Sequence, residues 1–266
     1  MKIGFIGCGN MGGALAHAAM LSVNPWHISV TDKDEGKAMS FAEESGAIYE
    51  ELDELASTCK YIFLGVKPQV LPDLAQTLAP ILKERTTEFT VVSMLAGVRT
   101  EKLKGLLGDC PVIRIMPNLA VSVGEGMILY TSTPDVSKEA LSGFLTFMSK
   151  AGKFLRLDED LFDAGTSVSG CGPAFVCQFL EGLTEGGVRC GLSYEDSLLL
   201  AEQTLLGTAK LLLETGREPS GLRAAVCSPG GSTIEGVKTL ENKGITETLC
   251  DTVNASYKRN MELGKG

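Results

Sequence analysis

The sequence predicts an α/β fold in which a doubly wound, mostly parallel Rossmann-like sheet is followed by an all-helical domain. Three observations support this. Short apolar segments alternate with helical segments through the first half of the chain, a glycine-rich loop follows the first apolar segment, and strand patterns stop after Asp158. Such alternation is typical of βαβ units. We therefore predict a dinucleotide-binding domain over residues 1–160 and an all-helical domain over residues 161–266.

The predicted strands of the first domain are short apolar segments at 2–6, 28–31, 61–66, 89–93, 112–116, 127–130 and 153–157. Predicted helices between them cover 11–21, 34–45, 68–83, 100–107 and 137–150. Gly46 follows the second helix, as a C-terminal cap does. Pro68 falls in a first helical turn, where proline is tolerated.

The second domain carries five helical patterns, at 175–189, 194–214, 221–227, 233–241 and 246–263. Ser193, with Asp196 three residues later, predicts the N-terminal cap of the second of these helices. The stretch from Leu198 to Leu213 is apolar all round, which is typical of a helix covered on more than one side. We therefore expect a homo-oligomer; the alternative is a helical core buried within one chain.

Composition excludes several classes of protein. The net charge is −9, from 24 basic and 33 acidic residues, which argues against nucleic-acid or anionic-membrane binding. The eight cysteines form no CxxC pair, so we expect reduced thiols in a cytoplasmic protein. We expect no metal site, because no group of ligands has the spacing of a zinc site. No segment approaches the ~20 uninterrupted apolar residues of a transmembrane helix.

The glycine-rich loop has the spacing G-x-G-x-x-G, formed by Gly7, Gly9 and Gly12, with Asn10 and Met11 between the last two. It follows a predicted strand and opens a predicted helix, which is the context of a dinucleotide-binding loop. The glycines permit a tight turn, a close approach of the pyrophosphate and close helix packing, while the helix N-terminus offers N–H donors.

The residues after the second predicted strand leave the choice of cofactor open. Asp32 lies 20 residues past Gly12, where an acid hydrogen-bonds the adenosine ribose and disfavours a 2′-phosphate. Lys33 and Lys37 lie beside it and would neutralise a 2′-phosphate if Asp32 pointed away. The cofactor is therefore NADP(H) or NAD(H).

The usual acid–base residues of dehydrogenases are missing where a substrate domain should supply them. The two histidines, His17 and His27, fall in the first βαβ unit, and no lysine occurs between Lys153 and Lys210. Reduction of a C=N bond fits this constraint, because a protonated imine accepts hydride without a separate acid and mainly needs orientation.

The segment SPGGST at 228–233 offers a clamp for a substrate carboxylate. Ser228, Gly230, Gly231, Ser232 and Thr233 lie at a predicted helix start, where backbone N–H groups and the helix dipole favour an anion. We expect Ser232 and Glu235 to form a capping box at this helix start. The alternative is a loop with an ordinary N-cap.

Residues 222–241 (LRAAVCSPGGSTIEGVKTLE) resemble the signature of pyrroline-5-carboxylate reductases. The resemblance extends over nearly the whole chain through IGCGNMG at 6–12, VKPQ at 66–69, SMLAG at 93–97, RIMPN at 114–118 and SGCGPA at 169–174. It implies reduction of L-Δ1-pyrroline-5-carboxylate to L-proline by NAD(P)H. It also implies a homodimer through the helical domain and a decamer of dimers.

The resemblance also implies roles for individual residues. Val66, Lys67 and Pro68 would pass beside the cofactor, with Ala96 and Gly97 near the nicotinamide. Asn118 would also contact the cofactor, or would only stabilise the sheet edge. Thr233 would place its hydroxyl next to the ring nitrogen of the substrate, while Ser228 and the N–H groups of residues 231–233 would hold the carboxylate. The TDKD sequence at 31–34 departs from the Asn-Arg or Ser-rich residues that suit NADPH in many relatives.

Three other functions stay open at this point. A β-hydroxyacid dehydrogenase would need a catalytic lysine early in the helical domain, and this chain has none there. A reductase of another cyclic imino acid, such as a six-membered analogue, would share every motif named above. A dinucleotide-sensing regulator would be expected to lose the substrate loop, whereas SPGGST is intact.

Overall fold

The structure is a computed structural model, and it describes residues 1–264. The chain divides into two compact units, one formed by Met1–Cys171 with the chain from Ser256 onward, the other by Gly172–Ala255. The predicted division into domains at 1–160 and 161–266 lies where the strand patterns end, and it stays a prediction. The last two residues of the predicted second domain, 265 and 266, lie outside the described residues.

The first unit is built on an eight-stranded sheet. The strands are β1 (Ile3–Ile6), β2 (Ile28–Thr31), β3 (Ile48–Tyr49), β4 (Tyr61–Leu64), β5 (Thr90–Ser93), β6 (Val112–Met116), β7 (Gly126–Ser132) and β8 (Gly152–Arg156). Their order is β3-β2-β1-β4-β5-β6-β7-β8, and every neighbouring pair is parallel except β6 and β7. The predicted doubly wound, mostly parallel sheet is therefore confirmed, because the chain runs outward from β1 in one direction and then from β4 in the other.

Helices cover both faces of this sheet. They are α1 (Asn10–Met20), α2 (Glu35–Ser45), α3 (Leu52–Thr58), α4 (Leu71–Lys83), α5 (Thr100–Leu107), α6 (Lys138–Phe147) and α7 (Phe162–Ser169). Alternate strand residues enter two separate cores: Phe5 and Phe63 pack with α1, α2 and α6, whereas Ile6 and Leu64 pack with α3, α4 and α5. Burial on both faces explains why these strands read as continuous apolar runs.

The second unit is helical. It contains α8 (Gly172–Arg189), α9 (Tyr194–Thr215), α10 (Pro219–Val226), α11 (Ser232–Asn242) and the first part of α12 (Ile245–Leu263), whose end belongs to the sheet unit. The predicted cap of α9 is confirmed, since Ser193 Oγ accepts a hydrogen bond from the Asp196 N–H at 3.0 Å. Helices α8 and α9 approach closely: a Cβ on Gly187 would lie 2.1 Å from Ser197 Oγ.

Three elements were not predicted from the sequence. β3 has only two residues, too few for a periodic pattern. α3 has seven residues and follows β3 directly, and α7 contains Gly165 and β-branched residues that disfavour a helix. Packing explains Gly165, because a Cβ there would lie 2.6 Å from Leu129 Cδ1.

Candidate functional site

The glycine-rich loop forms a cradle between β1 and α1. Gly7 has φ of +104°, a conformation that favours glycine, and a Cβ on it would lie 2.6 Å from the carbonyl oxygen of Gly65. A Cβ on Gly12 would lie 2.1 Å from the carbonyl oxygen of Gly7. The loop therefore depends on the absence of side chains, as the spacing predicted.

Helix α1 presents free donors at this loop. It begins at Asn10, with Gly9 as an N-cap that has no side chain to satisfy the first N–H groups. The N–H groups of Asn10, Met11 and Gly12 therefore lie at the positive end of the helix dipole without intrahelical acceptors. This geometry suits a phosphate group.

A cavity of about 470 Å³ opens beside the loop. It brings together Gly7, Gly9, Asp32, Lys33, Val66 and Lys67 from the predicted cofactor set. The rest of its lining comes from Ile6, Thr31, Glu35, Lys37, Tyr49, Glu51, Leu52, Gly65, Val70 and Leu74. The cavity is of the size and character of a small-molecule site, apolar with a few convergent polar groups.

Asp32 is directed toward the glycine-rich loop. Its Oδ2 accepts a hydrogen bond from the Cys8 N–H at 2.8 Å, and its Oδ1 accepts one from the Asp34 N–H at 3.2 Å. The Lys37 ammonium lies 3.9 Å from Oδ2 and is half exposed. Burial, reinforced by the Asp32 charge, raises the pKa of the Cys8 thiol to about 11, so this cysteine stays protonated at neutral pH.

The remaining predicted cofactor residues lie farther along the carboxyl edge of the sheet. Pro68 opens a short 3₁₀ turn after β4, and Ala96 and Gly97 form a turn after β5 in which Gly97 has φ of +72°. Asn118 follows β6 and uses its amide within the protein, donating to Ser169 O at 3.1 Å and accepting from the Met127 N–H at 3.2 Å. Its predicted contact with the cofactor stays a prediction.

The predicted substrate residues lie together in the helical unit. A turn over 228–231 is closed by the Gly231 N–H donating to Ser228 O at 3.0 Å, and Gly230 occupies its left-handed position with φ of +72°. Ser228, Ser232 and Thr233 are exposed. The turn leads directly into the N-terminus of α11.

One detail predicted for this turn is wrong. Ser232 and Glu235 do not form a capping box, because Gly231 is the N-cap of α11 and Ser232 is already the first helical residue. Glu235 instead accepts a hydrogen bond from the Lys238 ammonium at 2.8 Å. With no side chain capping α11, its first N–H groups lack intrahelical acceptors.

Several residues and contacts that form the cofactor cavity were not predicted from the sequence. The contribution of Tyr49, Glu51 and Leu52 to the cavity follows from β3 and α3, whose patterns were too short to detect. The hydrogen bond between Cys8 and Asp32 joins residues 24 apart, and only the pairing of β1 with β2 signals it. A second cavity, near Gly97, includes residues of α7 and α12 that carry no motif.

Comparison with known proteins gives consistent matches over the whole chain. Residues 159–263 match the family model described as pyrroline-5-carboxylate reductase dimerisation, and residues 2–97 match one described as NADP oxidoreductase coenzyme F420-dependent. The pyrroline-5-carboxylate reductase of Aquifex aeolicus is 36% identical over 264 residues, covering 99% of this chain and 97% of that protein. The pyrroline-5-carboxylate reductase of Escherichia coli is 34% identical over 268 residues, covering 99% and 98%.

Solved structures agree. The structure of a pyrroline-5-carboxylate reductase from Coxiella burnetii has a TM-score of 0.91 at 31% identity, covering 98% of both chains. The Plasmodium falciparum pyrroline carboxylate reductase, solved with NADP bound, has a TM-score of 0.86 at 28% identity, covering 99% of this chain and 98% of that one. These similarities include both the sheet unit and the helical unit.

Proposed function

The chain belongs to the pyrroline-5-carboxylate reductase family, and from that membership we propose how its residues divide the work of the reaction. It is an NAD(P)H-dependent oxidoreductase that reduces Δ1-pyrroline-5-carboxylate to L-proline, the last step of proline biosynthesis. The observation that carries the residue assignment is the turn at 228–231. It leaves an uncapped helix N-terminus beside exposed hydroxyl groups, as a carboxylate site requires.

The residues of the sheet unit fit a dinucleotide. When bound, the reduced cofactor supplies the hydride that is transferred to the C=N carbon. Gly7, Gly9 and Gly12 keep the cradle open, and the N–H groups of Asn10 and Met11 would bind the pyrophosphate. Val66, Lys67 and Pro68 would line the path of the cofactor, with Ala96, Gly97 and Asn118 at its nicotinamide end.

We further propose that this reductase prefers NADH. Binding of NADPH would be favoured if Asp32 pointed away from the ribose position. Its carboxylate is instead held toward the glycine-rich loop by two backbone N–H groups. A ribose 2′-hydroxyl can donate to this carboxylate, whereas a 2′-phosphate is repelled by it. Lys37 offsets this charge only in part, at 3.9 Å and half exposed.

The residues of the turn and of α11 would bind and orient the substrate. The N–H groups of Gly231, Ser232 and Thr233, with the Ser228 hydroxyl, would hold its carboxylate. The Thr233 hydroxyl would donate or accept at the ring nitrogen and fix the face of the C=N bond. Because the protonated imine is already electrophilic, orientation supplies most of what the protein must contribute.

The replacement Thr233→Ala tests this assignment. We expect turnover of pyrroline-5-carboxylate to fall by roughly one to three orders of magnitude, the scale for loss of one oriented hydrogen bond in an active site. Thr233→Ser, which keeps the hydroxyl, should retain most of the activity. Steady-state assays with NADH and NADPH in parallel measure both variants.

Thr239→Ala on the same helix is a matched control, since the Thr239 hydroxyl only donates to Glu235 O within α11. We expect it to keep wild-type kinetics. Unchanged kinetics in Thr233→Ala would remove Thr233 from the mechanism, and equal losses in both threonine variants would indicate damage to α11 rather than loss of a contact with substrate.

The helical unit belongs to a dimerisation family, so the protein is a homo-oligomer. We propose a homodimer through this unit and a decamer assembled from dimers. The structure contains no helix long and apolar enough to cross a membrane among residues 1–264. All eight cysteines are free, which supports our proposal that the protein works in the reducing environment of the cytoplasm.

A further inference from the structure

The last turn of α12 packs against the turn that follows β5. A Cβ on Gly97 would lie 3.3 Å from both the Leu263 carbonyl oxygen and the Gly264 Cα. Leu95 and Val98, on either side of the Ala96–Gly97 turn, are buried in the sheet unit. The turn is therefore held between the core of the unit and the end of the last helix.

Asn260 anchors that helix end to α7. Its Nδ2 donates to Ser167 Oγ at 3.0 Å and to Asp163 O at 3.3 Å. Ser167 is fully buried, and its hydroxyl donates to the same Asp163 carbonyl at 2.7 Å. This small network connects residues more than ninety positions apart, so it fixes the C-terminal segment rather than following from local helix geometry.

A cavity of about 250 Å³ lies between these elements. One side of it consists of residues at the carboxyl edge of the sheet: Pro68, Gln69, Ala96 and Gly97 from the turns after β4 and β5, and Met116 at the end of β6. The other side consists of Asp163 and Thr166 from α7 with Asn260 and Leu263 from α12. The end of the last helix thus forms a wall opposite the loops assigned to the nicotinamide end of the cofactor.

We propose that the last turn of α12, anchored by Asn260, is a positioning element for the reacting end of the cofactor. It supports the Ala96–Gly97 turn from behind and closes the cavity beside it, so the turn is ordered before the cofactor binds. Ordering a loop in advance improves affinity because less conformational freedom is lost on binding. The inference rests on the proposed role of Ala96 and Gly97, and Asn260 acts through them rather than on the reacting atoms.

The test compares two ligands that differ only at the reacting end. NADH carries the nicotinamide, whereas ADP-ribose shares the adenosine, pyrophosphate and ribose without it. In Asn260→Ala we expect the dissociation constant of NADH to rise about 5- to 20-fold, the range for losing one or two hydrogen bonds. That of ADP-ribose should change by less than about 2-fold, because the glycine-rich loop is untouched. NADPH and 2′-phospho-ADP-ribose form a second pair that is independent of cofactor preference.

Arg259→Ala is the matched control, since Arg259 is exposed on the neighbouring position and pairs with Glu262 at the surface. A chain ending after Glu262 lacks residues 263–266, including Leu263 and Gly264, and it should reproduce the Asn260→Ala pattern. Hydrogen exchange provides a readout without ligand: amides of residues 94–98 should exchange faster in both variants and not in Arg259→Ala. If Asn260→Ala does not fold, the truncated chain decides the question.

If Asn260→Ala weakened the binding of NADH and of ADP-ribose equally, Asn260 would have a general structural role and the inference would be overturned. Unchanged binding of both ligands would also overturn it. Those results would leave the proposed function intact, because the wild-type protein would still bind its cofactor and turn over pyrroline-5-carboxylate. A wild-type protein that bound neither NADH nor NADPH would overturn the proposed function and this inference together.

Discussion

Asp32 shows how one side chain can hold a fixed negative charge in the cofactor cavity beside the glycine-rich loop. Its carboxylate accepts from the Cys8 and Asp34 N–H groups, so the main chain of two loops holds it in place. Rotating the carboxylate away would leave the Cys8 N–H, in a residue only 8% exposed, without its acceptor. An unsatisfied buried donor costs about 1–3 kcal/mol. The Asp32 carboxylate would therefore stay in place and repel a bound 2′-phosphate.

The replacement Asp32→Ser should shift cofactor selectivity toward NADPH. Removing one unit charge near the ribose relieves a repulsion of roughly 1–3 kcal/mol, so the NADPH:NADH ratio of kcat/KM should rise about 10- to 100-fold. The dissociation constant of NADPH, measured by the change in protein or cofactor fluorescence, should fall, and that of NADH should not.

Asp34→Ser is the control for this prediction. Asp34 is the N-cap of α2, and its side chain accepts a hydrogen bond from the Lys37 N–H. Serine can make the same hydrogen bond, so the variant removes a nearby charge without removing the cap. We expect a much smaller shift in selectivity. A wild-type enzyme that already favours NADPH, or an Asp32→Ser variant with an unchanged ratio, would contradict the proposed role of Asp32.

Among the secondary-structure elements, one ion pair ties together the sheet, α5 and the start of α7. Arg114 in β6 is 2% exposed and pairs with Glu159 at 2.8 Å, while its guanidinium lies 4.6 Å from the centre of the Phe162 ring. Glu159 also accepts from the Thr100 N–H and hydroxyl, each at 2.8 Å. Burial alone would raise the pKa of the Glu159 carboxyl, but the hydrogen bonds from Thr100 and Arg114 outweigh it and lower the pKa.

This lowered pKa predicts a pH dependence of stability. Because the carboxyl has a lower pKa in the folded than in the unfolded protein, it stabilises the fold above its ordinary pKa of 4.5. That stabilisation is lost as pH falls through the folded pKa. Glu159→Gln should cost on the order of 3 kcal/mol at pH 7, since it leaves the Arg114 charge buried without its partner.

The measurement is urea unfolding of both proteins from pH 7 down to pH 4. The difference in free energy of unfolding between wild type and Glu159→Gln should shrink as the solution becomes more acidic. Glu139→Gln, in the first turn of α6 and exposed, should show no comparable loss at pH 7. A difference that stays constant across this pH range would assign the loss to packing rather than to the charge of Glu159.

The elements that could be predicted from the sequence are those whose causes are local. The strands β1, β2 and β4 read as apolar runs, and the glycine-rich loop is defined by conformations that only its own residues adopt, such as φ of +104° at Gly7. β3, α3 and α7 were missed because tertiary packing rather than pattern stabilises them. The network of Asn260 with α7 has no sequence signal, since neither partner type is diagnostic.

At the scale of the whole molecule, the helical unit differs from the sheet unit in how much it buries. Among the described residues of the helical unit, only Thr184, Ser197 and Ala201 are buried in the single chain. Large apolar side chains are exposed instead, and three on α9 recur every seven residues: Leu199 at 64%, Leu206 at 59% and Leu213 at 66%. Positions seven apart lie on one face of a helix, so these leucines form an apolar stripe.

This stripe explains why the second unit needs a partner. A core of this size does not offset the entropy of ordering the chain, and an exposed apolar stripe of this kind marks a protein interface. The dimerisation family to which the unit belongs is consistent with association through such a face. We propose that the stripe on α9 lies in the interface between subunits of the homo-oligomer.

Leu206→Glu, at the centre of the stripe, should convert the homo-oligomer to monomers. A carboxylate buried without a partner is costly enough to prevent association at micromolar concentration, so light scattering coupled to size exclusion should report a mass near 28 kDa. Leu21→Glu is the matched control: Leu21 is 70% exposed in the sheet unit, and the same change there should leave the oligomer intact. Because the helical unit buries so little by itself, the monomeric variant should also unfold at lower temperature. A Leu206→Glu protein with wild-type mass would exclude this face of α9 from the interface.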